Sequence, residues 1–325
     1  MKKKNYSLNS GRKDLKPKQI LLSKRANIFY LDKVRVMQKD ERIVYLALSN
    51  TEIQQYFNIP ERNTALLLLG KGSSITDSAA RKLAESNVLV GFCGSGGTPL
   101  FSSIDLAFLT PHSEYGPTEY MQAWGKNWFT ESSRLKMAQK LVEIRVELCR
   151  GFWSKDSSLI KESVIIPEVK AKAFLARSLS ANNSQDILLA EALWVKSLYS
   201  AVASAYKVEF IRDHQLENEA SDTIRINAFL NHGNYLSYGL AAVVLNALGI
   251  SYCFPLLHGK TRRGALVFDI ADLIKDGIVL PLAFEIGIDP KNTEKDFRSE
   301  LIERFQSLKA LDILFDSVKQ IAEIN

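Results

Sequence analysis

The sequence predicts an α+β protein, with a β-rich, sandwich-like N-terminal domain holding one short helix, followed by a larger all-α C-terminal domain. Three observations predict it. Clusters of β-branched and aromatic residues concentrate before residue 105. From Glu119 onward apolar residues recur at helical spacing and few β-rich runs remain,. Pro111 and Pro117 stand at the change, placing a boundary within residues 105–117 and dividing the chain into 1–20, 21–108 and 109–325,.

Within the first part, Ala26 to Leu48 carries the clusters Ile28–Leu31, Val34/Val36 and Ile43–Leu46 between short charged turns, and reads as a meander of strands,. Ala65–Leu69 is a continuous apolar run closed by Gly70, Lys71 and Gly72. Ser78–Glu85 has helical composition, and Val88–Phe92 is a second apolar run,. Gly94, Gly96, Gly97 and Pro99 mark a loop before a short strand at Leu100–Ser102. In the second part, Leu135–Trp153 and Asp186–Tyr206 are the clearest helices. Glu219–Leu230, Tyr235–Leu248, Asp269–Leu280 and Leu301–Ile324 complete the set,.

Of the 325 residues, 46% are hydrophobic and 24% charged, enough apolar material for real cores, which argues against disorder and fibrous folds,. The net charge of +6 lies wholly in the first 20 residues, which hold seven basic side chains and one acid, so the rest is formally neutral. This basic, flexible tail lacks the apolar run of about 7–15 residues that an export signal requires. No apolar run approaches the roughly 20 residues of a membrane span. Cys93, Cys149 and Cys253 are odd in number, widely spaced and without a CxxC pair, which points to a reducing cytoplasm rather than a disulfide framework or thiolate zinc site,.

Short motifs exclude some chemistries. Gly259-Lys260-Thr261 looks like the end of a phosphate loop, but the first glycine such a loop requires would fall at Phe254,. No GxSxG elbow occurs, and both glycine segments read as tight turns,. The stretch Leu256–Asp276 is more informative. On a helix beginning near Asp269, Asp269, Asp272 and Asp276 share one stripe, and such a row repels itself unless something positive sits over it,. An ordinary helix start, with Asp269 as N-cap and His258 an incidental loop residue, fits the same spacing. Glu191 sits in a helical segment apolar on nearly every face. A carboxylate there must be neutral, bound to a metal, or paired with Lys196 or an arginine of another helix,. Arg225 to Gly239 gathers amides, an imidazole and phenols that suit phosphate contact and ordinary capping equally,.

The strings LLSKRANIFYLDKVRV (21–36), VLVGFCGSGGTPLFS (88–102), LTPHSEYGPTEY (109–120), FLNHGNYLSYGLAA (229–242) and LLHGKTRRGALVFDIADLIKD (256–276) decide between these readings. They resemble the CRISPR-associated spacer-acquisition endonuclease and integrase family, specifically its subtype I-F branch, and the resemblance covers essentially the whole chain after the tail. It implies that the N-terminal domain mediates homodimerisation and that the helical domain is catalytic. By matching motif it implies Glu191, His258 and Asp272 as ligands of Mg²⁺ or Mn²⁺, with Asp269 an auxiliary active-site acid. Two carboxylates and an imidazole suit such ions. Lys260, Arg262 and Arg263, next to His258, become candidates for contact with flanking DNA phosphates, although a solvated basic turn has the same composition. Arg225, Asn231, His232 and Tyr235 are further DNA-binding candidates. The implied partners are double-stranded spacer DNA, the repeat of the array, a second copy of the chain, and the small Cas-two adaptation protein, fused in subtype I-F to the Cas-three helicase-nuclease. A catalytically degenerate DNA-binding scaffold and a metallohydrolase acting on a non-nucleic substrate are the alternative classes.

Overall fold

The computed structural model describes residues 20–47, 55–93, 102–103, 118–212, 222–259 and 264–324. The basic tail up to residue 19, the glycine run at 94–97, the boundary at 105–117 and Lys260, Arg262 and Arg263 lie outside the described residues.

A β-rich N-terminal part precedes a larger helical part, as the sequence predicts. The strands form two sheets. One runs β1 (Asn27–Leu31), β5 (Thr64–Leu69), β7 (Leu89–Phe92) and β8 (Ser102–Ser103), the first three parallel and β8 antiparallel. The other runs β4 (Tyr56–Ile59), β3 (Arg42–Ala47), β2 (Val34–Lys39) and β6 (Ser74–Ile75). The expected meander therefore holds for β2, β3 and β4 only. After β1 the chain turns at Lys33, whose φ of 52° is left-handed, and enters the second sheet. The reason lies in β5, all six residues of which are buried. A continuous apolar strand needs cover on both faces, and β1 and β7 flank it in parallel,.

Strand alternation on β5 ties the two parts of the molecule together. Leu67 and Leu69 face a small core with Val34, Val36, Ile43, Ile59 and the short helix α1 (Asp77–Glu85). Leu66 and Leu68 point the other way and belong to the large helical core,.

The helical part comprises α2 (Glu119–Trp128), α3 (Glu131–Trp153), α4 (Ser157–Lys161), α5 (Glu168–Leu179) and α6 (Ser184–Ala205). Then come α7 (Asp222–Ala247), α8 (Leu266–Ile274), a π-helical turn (Lys275–Val279), α9 (Leu280–Gly287), α10 (Glu294–Ser307) and α11 (Ala310–Ala322). Helix α6 alone among the described helices is long and apolar enough to pass as a membrane span, which the sequence reading had excluded everywhere. It packs instead as a core helix, burying Ile187, Ala190, Glu191, Trp194, Leu198 and Val202.

Three expected helix boundaries differ. Two segments expected on either side of His232-Gly233-Asn234 are one helix, α7, because Gly233 provides room rather than a turn. A Cβ there would lie 2.3 Å from Val279 Cγ1 and 3.3 Å from Phe297 Cζ. The expected helix Asp269–Leu280 is interrupted by the π turn, where Gly277 lets Phe152 approach to within 2.4 Å of a would-be Cβ,. Leu301–Ile324 breaks at Lys309, which adopts a left-handed φ of 54°.

Gly233→Ala tests the close contact of α7 with the π turn. Alanine favours a helix over glycine by about 1 kcal/mol, yet overpacking against buried Val279 costs about 1–3 kcal/mol. A net loss of stability in urea denaturation is expected; a gain would show that the two elements are not tightly packed.

Candidate metal centre

Helix α3 buries a stripe that includes Met137, Leu141, Arg145, Cys149 and Trp153. Arg145 is 3% exposed. A guanidinium so far from water must have acceptors on all its donors. Asp276, in the π turn, takes two of them, with Nε to Oδ2 at 2.7 Å and Nη2 to Oδ1 at 3.2 Å. Nη1 donates to Glu191 Oε1 on α6 at 2.5 Å and to Asp272 Oδ2 on α8 at 3.4 Å. Trp194 Nε1 donates to the same Asp276 carboxylate at 3.1 Å, and Trp153 Nε1 to its backbone carbonyl at 3.0 Å. Lys275 Nζ donates to Asp272 Oδ1 at 2.6 Å and lies 5.4 Å from the ring centre of Tyr238.

His258 reaches this cluster from the loop after α7. Asp269, fully buried, accepts from the backbone amides of Leu256, Leu257 and His258 at 2.6, 3.1 and 3.2 Å. Its Oδ1 also lies 2.6 Å from His258 Nδ1. That leaves Nε2 at the inner end of the ring, 3.9 Å from Glu191 Oε2. One ligand atom each from Glu191, His258 and Asp272 then falls within 4.8 Å of the others.

The electrostatics follow from burial and neighbours. Burial pushes the Glu191 carboxyl up, more than the Arg145 charge pulls it down, with Asp272 adding to the rise. Burial also opposes ionisation of Asp272, but Lys275 and Arg145 overcome it and hold the group down at about 2. Burial would lower His258, yet the Asp269 hydrogen bond and the Asp272 and Glu191 charges outweigh it and raise the imidazole above its ordinary 6.5. Formally, Asp269, Asp272, Asp276 and Glu191 bring four negative charges against the two of Arg145 and Lys275. The deficit equals one divalent cation, and the donor set of two carboxylates and one imidazole fits such an ion.

Of the residues singled out in the sequence, Glu191, His258 and Asp272 converge. Asp269 stands behind His258 as a positioning residue, with its oxygens on an imidazole and three amides, and it is not the N-cap of α8. Of the three aspartates, Asp272 and Asp276 share the positive charge of Arg145, while Asp269 faces His258 and the amides before it. Glu191 does pair with an arginine of another helix, and it is Arg145. Two expected DNA contacts are corrected. His232 is 2% exposed, with Nε2 2.9 Å from Glu294 Oε2, because α7 is a core helix. Arg225 donates to Gly287 O at 2.6 Å and to Asp222 at 2.5 Å, closing the end of α9. Asn231 accepts from Arg212 at 2.7 Å, and Tyr235 stands edge-on to Tyr238. The sequence reading missed Arg145, Lys275 and Trp194 as parts of the site. Arg145 carried a weaker signal than Glu191: it falls at helical spacing with the apolar Leu141 and Cys149, but Glu143 and Glu147 flank it.

Arg145→Met should cost about 3–5 kcal/mol, since it leaves three buried carboxylates short of their counter-charge. Excess Mn²⁺ should restore part of that by supplying positive charge. Urea denaturation with and without the ion reads both effects; unchanged stability would mean the network is not a buried ionic one.

Comparisons with known proteins bear on the family of the chain. A family profile described as CRISPR associated protein Cas1 matches residues 30–308. The chain is 43% identical over 316 residues to a protein of Pseudomonas aeruginosa named CRISPR-associated endonuclease Cas1, covering 94% of this chain and 95% of that one. It is 40% identical over 314 residues to the protein of that name from Pectobacterium atrosepticum, covering 94% of each. The crystal structure of a TtCas1–DNA complex superposes with a TM-score of 0.67 at 20% identity, covering 91% of this chain and 92% of that one. With the family profile spanning most of the chain, and two relatives at 43% and 40% identity along nearly all of it, this protein belongs to the Cas1 family of CRISPR-associated proteins.

Proposed function

We propose that this protein is a divalent-metal-dependent DNA endonuclease and integrase of CRISPR adaptation, of the subtype I-F branch. Glu191, His258 and Asp272 would hold Mg²⁺ or Mn²⁺. The observation that carries this is the convergence of those three side chains from α6, the loop after α7, and α8. A divalent cation held there would lower the pKa of an attacking hydroxyl and offset charge on the scissile phosphate.

The chain's own residues prepare the site. Asp269, bonded to Nδ1 of His258, fixes the tautomer in which Nε2 carries a free lone pair toward Glu191 and Asp272,. Arg145 takes one oxygen of Glu191 and one of Asp272, which fixes how the two carboxylates face His258. In integration, a 3′-hydroxyl of the incoming DNA attacks a phosphodiester of the repeat. A new O3′–P bond forms and the repeat strand's own 3′ oxygen leaves, taking up a proton. With water as the attacking group the same site hydrolyses DNA.

The remaining assignments belong to the same reading. The β-rich part serves homodimerisation, and Cas-two is the adaptation partner, carried in a fusion with Cas-three. The cytoplasm is the compartment; the three cysteines are unpaired. The endonuclease names of the two relatives support an enzyme. Against a degenerate scaffold stands the complete Glu, His and Asp set with its supporting Asp269.

Glu191→Gln and His258→Ala should each abolish joining of a 3′-hydroxyl duplex to a repeat-containing plasmid, as should excess EDTA, while circular dichroism and DNA retention stay near wild type. Full joining by either variant would contradict the assignment. Asp269→Asn should weaken Mn²⁺ binding in calorimetry by about 10–100-fold, the usual effect of losing such a hydrogen bond. Unchanged affinity would show that Asp269 does not orient the ring.

A further inference from the structure

We infer that Arg212 forms a phosphate-binding position beside the metal centre, taking a backbone phosphate of the DNA strand that flanks the reacting one. The inference rests on the DNA-joining reading above, and it assigns a residue that no motif marked.

Arg212 follows α6 on a short extended segment, and its guanidinium is held by α7. Nη1 donates to Asn227 Oδ1 and Nη2 to Asn231 Oδ1, both at 2.7 Å. The two asparagines are four residues apart and share one helix face. Asn227 is itself oriented, since its Nδ2 donates to Ile211 O at 2.8 Å and Thr223 O at 3.0 Å, leaving Oδ1 to accept from the arginine. The guanidinium is therefore fixed in direction by neutral acceptors. Arg145, Arg150, Arg225 and Arg304 are all ion-paired. Among the described residues Arg212 has no such pair. Amide oxygens orient a guanidinium without cancelling its charge, and a partly exposed, pre-oriented guanidinium with donors to spare suits the oxygens of a phosphate,.

Its position connects it to the chemistry. Tyr199 shares the face of α6 that carries Glu191, two turns further on, and its ring packs against Phe210 at 5.4 Å,. Burial pushes the Tyr199 hydroxyl up while the charges of Arg212 and Lys275 pull it down, so both cations act on this one group. Lys275 in turn bonds Asp272. Arg212 is thus linked to the candidate ligands through Tyr199 and Lys275. Asn231, expected from the sequence to touch DNA, acts here as a positioning residue for Arg212.

The decisive variant is Asn231→Asp. It preserves the acceptor for Nη2 and adds a carboxylate that neutralises the guanidinium, so an anchor of purely structural purpose would be kept or strengthened. Binding of a fluorescent 3′-hydroxyl duplex is measured by anisotropy over a range of salt, alongside thermal melting. Asn231→Asp and Arg212→Gln should both bind severalfold more weakly at low salt, with a salt slope smaller by about 0.9, the value for one lost phosphate contact. Arg212→Lys should retain most of the slope. Wild-type affinity and slope in Asn231→Asp, with an unchanged or raised melting temperature, would overturn the inference. Should Arg212→Gln fail to fold, Asn231→Asp decides alone. If wild type shows no metal-dependent joining while Asn231→Asp still loses the slope increment, the proposed function fails and the phosphate position stands.

Discussion

A buried positive charge is the constraint on which the rest of this molecule is arranged. Arg145 lies 3% exposed in the middle of α3, where leaving its donors unmet would be prohibitive,. Its acceptors come from α6, α8 and the π turn, so the guanidinium fixes the relative placement of four elements far apart in sequence. Those carboxylates include two of the three candidate metal ligands. Arg145 supplies one of the four positive charges that the four acids formally require and Lys275 a second, and a divalent ion would complete the balance. Ligand geometry here is thus a consequence of how the helices pack, and the helices pack as they do partly to surround one arginine.

The π turn explains how one short segment serves two purposes. Asp272 and Asp276 are both buried and both reach Arg145. Asp276, in the π turn, is held further by Trp194 and Trp153, while Asp272 is held by Lys275 and contributes to the candidate metal site. Gly277 and Gly233 permit the closeness this requires, against Phe152 and Val279. On the other side of α7, Gly239 admits Leu66 of β5, where a Cβ would lie 2.6 Å from Cδ2, so the central sheet packs directly on the helix that borders the site. Sheet and helical core share residues for that reason.

Much of the site was legible in the sequence, but unevenly. Glu191 stood out because a carboxylate in an apolar helix needs an explanation, and His258 and Asp272 because a long string resembled a family with known ligands. Arg145, flanked by Glu143 and Glu147, looked like part of an ordinary charged helix face and was covered only as an unidentified arginine on another helix, since nothing in a sequence says which two helices touch. Asp269 has an imidazole partner that helical spacing cannot reveal, because the two lie eleven residues apart and His258 precedes α8. His232 and Arg225 looked available for DNA because the polar side chains between Arg225 and Gly239 suit phosphate contact. Gly233 is a packing contact in mid-helix, so His232 turns inward to Glu294, while half-buried Arg225 is held by Gly287 O and Asp222. Arg212 lies in no recognisable string, and its meaning depends on the two amide oxygens of α7 that orient it, which sequence spacing does not reveal. The strand clusters were read correctly one by one, while their division between two sheets depended on the burial of both faces of β5.

The central claim is that three side chains, positioned by Arg145 and Asp269, hold one divalent ion. Anomalous diffraction at the manganese edge from crystals soaked in Mn²⁺ tests it most directly. The account predicts a peak bonded to Glu191, His258 Nε2 and Asp272 together. An empty position there at saturating Mn²⁺, with the Glu191 and Asp272 carboxylates still satisfied by Arg145 and Lys275 alone, would contradict it.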